Sequence, residues 1–177
     1  QWQRNVVAVG LSSGFLEPLE STSIHLIQSA VVRLIQLFPH KGICPSAIKE
    51  YNRQSELEYT QIRDFLILHY HVNERSDSQF WRDMQQLAIP DSLQQKIAIF
   101  ADNGQLFRDQ NDLFLESSWL QVMLGQGIEP KDYHPIAGNF SPDKLRDMLA
   151  NVMAIKQEPL SKLPDHDTYI NTMIARS

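Results

Sequence analysis

The stretch "GLSSGFLEPLESTSIHLI", Gly10 to Ile27, holds the residues with the clearest chemical potential. Two carboxylates, Glu17 and Glu20, flank Pro18 and stand directly before Ser21, Thr22 and Ser23, which are suited to begin a helix. The first amides of a helix have no intrahelical acceptor, and the macrodipole adds about half a positive charge there. Such an end attracts anions, and a positioned carboxylate can take or give a proton. The plainer reading is that Ser and Thr are ordinary caps and the glutamates partners of the dipole. A functional reading requires Glu20 and a bound anion to face different chambers, because on one side they would repel. The segment would then be a wall. Gly10 and Gly14 make its backbone approachable, and Pro18 stiffens the approach to the helix.

The elements around this segment read as one strand followed by helices. Val6 to Val9 form a short apolar run that ends at Gly10, which predicts a strand buried on both faces. From Ser21, the apolar residues Ile24, Ile27, Val31, Leu34, Ile35 and Phe38 recur at helical spacing until Pro39. Pro45 or Ser46 starts a long helix to His69, with a break expected near Gln54 and Ser55. Further helices are expected after Asp77 or Ser78, from Pro90, from Gln110 to Leu124 ending at Gly125, from Ser141 and Pro142, and from about Asp167 to Ile174. The stretch "GQGIEPKDYHPIAGNFSP" reads as a long loop.

Composition narrows the possible partners. The 177 residues are 42% hydrophobic with a formal charge of −5, which suits a soluble globular protein and disfavours a nucleic-acid or membrane surface. The single Cys44 can form no internal disulfide and has no evident activating base, so the cytoplasm is the expected compartment. No metal site is expected: His69 and His71, two apart on a helix, do not face each other. A strand needs a partner, and an apolar run so near Gln1 raises the expectation that the chain is the C-terminal part of something longer.

"WQRNVVAVGLSSGFLEPLESTSIHLI" resembles the C-terminal signature of the flavin-dependent tryptophan halogenase family, in which a strand and Gly-Leu-Ser lead to Phe-x-Glu-Pro-Leu-Glu-Ser-Thr and a helix. The likeness continues through "YNRQSELEYTQIRDFLILHYHVNERSDSQFWRD" and covers most of the chain. The resemblance implies an overall α/β fold of the FAD-binding, Rossmann-like monooxygenase type. Within it, this segment is mainly α-helical, with one strand feeding a helical part. Residues 1–23 would close the FAD-binding domain and carry the halide loop, and residues 24–177 would form a substrate-binding region.

The same resemblance assigns roles. Glu20 matches the catalytic carboxylate, the Thr22 and Ser23 amides the halide site, and Gly10, Leu11 and Ile24 the cofactor contacts. In that family, reduced FAD and oxygen oxidise chloride or bromide to hypohalous acid, which reaches a lysine and this glutamate before attacking an aromatic carbon. A separate flavin reductase supplies the reduced FAD, and a homodimer is compatible with the family. Three departures stand out. Ser23 replaces a frequent glycine. The catalytic lysine, the Rossmann glycines and the Trp-x-Trp-x-Ile-Pro motif are not in these residues, and Gly125-Gln-Gly127 is no substitute because Pro130 stands where a third glycine belongs. These residues alone are therefore expected to be inactive. Finally, "NGQLFRDQNDLFLESSWLQVMLGQGIEP" lacks the Tyr-Tyr pair that grips free tryptophan. This brings the chain closer to members acting on indoles or other aromatics, with Phe107, Phe114 and Trp119 as candidate pocket residues. The rival readings are a flavin-dependent aromatic hydroxylase and a non-catalytic helical interaction domain.

Overall fold

The computed structural model describes residues 1–109 and 112–176. The chain divides into two compact units, 1–133 and 134–177. In the first, strands β1 (Trp2–Gln3) and β2 (Val6–Val7) pair antiparallel and are followed by helices α1 (Ser23–Gln36), α2 (Pro45–His71), α3 (Gln79–Gln85), α4 (Asp91–Asn103) and α5 (Glu116–Gly125). The second carries α6 (Pro142–Gln157) and α7 (His166–Ile174). Ser141 accepts from the Lys144 amide and Asp165 from that of Thr168, so each caps its helix.

The hairpin corrects the expectation of one strand buried on both faces. Trp2 pairs with Val7 and Gln3 with Val6 across a tight turn at Arg4, and Val6 is 64% exposed. Trp2 supplies the anchor instead. It is buried edge-on against Tyr51, and its backbone exchanges two hydrogen bonds, of 2.7 and 2.9 Å, with the Asn52 amide side chain.

Helix α2 is unbroken, contrary to the expected interruption near Gln54 and Ser55. The polar residues there are fastened by their own helix: Arg53 and Gln54 both donate to Glu50, and they hold its carboxyl down to about 2. On its inner face Ile62, Phe65, Leu66 and Leu68 form the centre of the core with Leu26 of α1, Leu93 and Phe100 of α4, and Trp119 and Met123 of α5. Helix α5 starts later than its apolar pattern suggests. Asp112 accepts from the Phe114 amide in a local turn that competes with helix, while Gln110 and Asn111 lie outside the described residues.

Helix α1 presents two faces. Leu26, Ala30 and Arg33 are buried, whereas the apolar stripe of Ile24, Ile27, Val31 and Ile35 is exposed, as is Phe38 just beyond the helix. Before it, Gly10 adopts φ +66, where a Cβ would touch Ile27 at an ordinary 3.4 Å. The cost of a side chain there is therefore one of backbone conformation. Gly10→Ala is expected to lower stability by about 1–2 kcal/mol, read as a shifted urea midpoint of the full-length protein at unchanged slope.

Candidate functional site

Three places on α2 pin the Gly10–Glu20 segment. Tyr59 shares a 2.8 Å hydrogen bond with the Ser13 hydroxyl and lies so close to Gly14 that a Cβ there would be 3.1 Å from its ring. At the far end of the helix, Tyr70 donates to Glu17, and His69 Nε2 lies 2.9 Å from Glu20 Oε1. The Glu17 bond, followed by burial, pushes the Tyr70 phenol above its ordinary value of 10.0. A raised phenol pKa means this latch is fully present below the ordinary value and is lost only as pH climbs through the raised one. It therefore holds at neutral pH.

Pro18, Leu19 and Glu20 form a 3₁₀ turn that ends at Ser21, a non-glycine residue at φ 54, ψ 34. This left-handed conformation is uncommon for serine and reverses the chain between Glu20 and the helix. Glu20 turns to His69. Thr22, which is buried, and Ser23 open α1, and among the described residues nothing accepts a hydrogen bond from either backbone N–H. Ser23 also lines a cavity of about 350 Å³ with Gly10, Leu11, Phe15, Leu26 and Ile27, and Glu20 does not.

Of the expected cofactor contacts, Gly10 and Leu11 meet at this cavity and Ile24 is not among its lining residues. Leu11 and Ile24 expose 76% and 78% of their surfaces. An apolar wall with Ser23, the first residue of α1, at its edge fits a flat heteroaromatic ring beside an anion. The candidate substrate aromatics are not gathered. Phe114 and Trp119 belong to the core, where Phe65 stacks on Phe114 at 3.9 Å and meets Trp119 at 4.8 Å. Phe107 is exposed and lines a separate cavity of about 250 Å³ with Gln95, Lys96 and Ile99.

Sequence reasoning missed Tyr59, His69 and Tyr70. Each acts on residues distant in the chain, so no local spacing could reveal it. Cys44 lies apart and exposed at the start of α2, where Ser46 and neighbouring amides draw its thiol below the ordinary value.

The fold has counterparts in known structures. The chain matches Xcc4156, a flavin-dependent halogenase from Xanthomonas campestris, at 48% identity and a TM-score of 0.92, over 97% of this chain and 34% of that one. BrvH, a flavin-dependent halogenase from Brevundimonas sp. BAL3, matches at 39% identity and a TM-score of 0.89, over 97% of this chain and 35% of that one. The Lentzea aerocolonigenes tryptophan 7-halogenase RebH is 31% identical over 144 residues, 73% of this chain and 27% of its own length. The fold is thus that of a mainly helical part of flavin-dependent halogenases. The family description "Tryptophan halogenase" matches residues 1–142, and the chain belongs to that family. It spans about a third of the length of these relatives.

Proposed function

We propose that the chain is the halide- and substrate-facing part of a cytoplasmic FAD-dependent halogenase, which oxidises chloride or bromide to hypohalous acid and halogenates an electron-rich, indole-like aromatic. The observation that carries this reading is the divergence at Ser21: Glu20 contacts His69, while Ser23 lines an apolar cavity that Glu20 does not reach. A mere cap would not need that separation.

Each residue then has a task. The Thr22 and Ser23 N–H groups hold the halide at the helix end, where the macrodipole favours an anion. Gly10, Leu11 and Ile24 offer the cofactor ring an apolar surface. When bound, reduced FAD with oxygen supplies the two-electron oxidation of the halide. Glu20 orients the resulting oxidant and accepts the proton released when the substrate ring regains aromaticity. Of the three candidate aromatics Phe107 is the exposed one and would meet a substrate, whereas Phe114 and Trp119 pack against Phe65 in the core. In this division of labour residues 1–23 serve the cofactor part of an overall α/β enzyme and residues 24–177 the substrate part. The exposed apolar stripe of α1 suits packing against the former. A separate reductase delivers the reduced flavin.

The test supplies the full-length protein with reduced FAD, oxygen and a panel of indoles, with and without bromide, and reads products by mass. Brominated product that appears only with bromide is expected. A hydroxylated product independent of halide would identify a hydroxylase instead, and no flavin-linked turnover at all would leave an interaction domain.

A further inference from the structure

Resting on that reading, we propose that His69 is the positioning residue for Glu20: it fixes which carboxylate oxygen is engaged and leaves the other for the reaction. The ring is held on three sides. Its Nδ1 lies 2.8 Å from the Phe65 carbonyl, which can only accept, so Nδ1 carries the hydrogen. Phe65 meets the ring edge-on at 4.8 Å, and Phe65 is itself stacked within the core. That leaves Nε2, 2.9 Å from Glu20 Oε1.

At that distance the ring nitrogen is in direct polar contact with Oε1. The imidazole thereby draws on Oε1 alone and leaves Oε2 as the unengaged oxygen of Glu20. The neighbouring residue repeats the arrangement, Tyr70 holding Glu17 on the other side of Pro18. The last turn of α2 thus grips both glutamates of the motif. His69 is a fixed post and not a mobile shuttle: its side chain is 17% exposed, against 33% for Glu20.

The test uses the full-length enzyme with reduced FAD and two variants of similar side-chain size. His69→Leu keeps the bulk and removes the donor, and His69→Gln keeps a donor. His69→Leu is expected to lower kcat for halogenation by roughly 10–100-fold with KM for the aromatic changed less than about threefold, as misplacement of one reacting group does. Release of hypohalous acid, captured by a 1,3-diketone trap, should continue. His69→Gln should recover most of the loss. Equal losses in the two variants, or a wild-type kcat in His69→Leu, would overturn the assignment.

A second measurement does not depend on turnover or on the folding of those variants. In protein labelled with ¹⁵N-histidine, Glu20→Gln should move the His69 ring signals and leave those of His25, which pairs with Glu58, in place. Unmoved His69 signals would refute the contact. Failure of the halide-dependence experiment would instead refute the halogenase reading and leave the His69–Glu20 pairing to stand or fall on these spectra.

Discussion

Glu20→Gln in the full-length enzyme is expected to lower kcat for halogenation by roughly 10²–10⁴-fold, the range for loss of a positioned acid–base group. Flavin binding and halide oxidation should continue. Glutamine preserves the shape of the side chain but offers neither a charge to orient the oxidant nor a basic oxygen to accept the ring proton. The amides proposed for the halide belong to Thr22 and Ser23, beyond the left-handed Ser21, so the substitution leaves them untouched. Stability should change little, because Glu20 is a third exposed and pairs of that kind contribute up to about 1 kcal/mol. Product analysis beside a thermal melt checks both parts. Full halogenation by the variant would remove Glu20 from the mechanism.

The second large effect concerns Glu58. This carboxylate, with 14% of its side chain exposed, accepts from Arg33 at 2.9 Å and Ser29 at 2.9 Å and lies 3.0 Å from His25 Nε2, so three residues of α1 converge on one group of α2. Arg33 is itself buried and has Gln54 and Ser55 as its other partners. Glu58→Ala would leave that guanidinium buried without its counter-charge, at a cost of about 3–5 kcal/mol. A reduced urea midpoint is the expected result. Arg33→Met together with Glu58→Leu should recover much of the loss, since replacing a whole buried pair by apolar side chains of similar size is often neutral. A midpoint unchanged in Glu58→Ala would show that α1 is held on α2 by apolar contact alone.

Much of this arrangement was legible from residue types. Pro39 closed α1, Ser141 and Pro142 announced α6, and the run from Gly10 through Thr22 pointed to a turn that leads into α1. What escaped had physical causes. The hairpin was hidden because its anchor, Trp2, precedes the apolar run, and because two-residue strands leave no alternation to read. The continuity of α2 was hidden because Glu50, Arg53 and Gln54 read as a polar interruption until their mutual hydrogen bonds are seen. The stripe that marked α1 so clearly as a helix turned out to be its exposed face, while Arg33 is buried. Periodicity identified the helix and not the side that faces the core. His69 invited a metal reading in sequence, yet its partner is a glutamate on another element, which no spacing along the chain could disclose.

The unbroken α2 also makes a statement about length. Tyr59 and His69 grip opposite ends of one segment, and they stand ten residues apart on a single rigid rod, about 15 Å and nearly three turns. Deleting one residue between them would draw the grips together by about 1.5 Å and, far worse, swing the second by about 100° around the rod. Substitutions along this stretch alter packing, but insertions and deletions alter phase. Natural variation between these two residues should therefore change side chains freely while keeping their number constant, and recombination of halogenase segments should place its crossovers elsewhere.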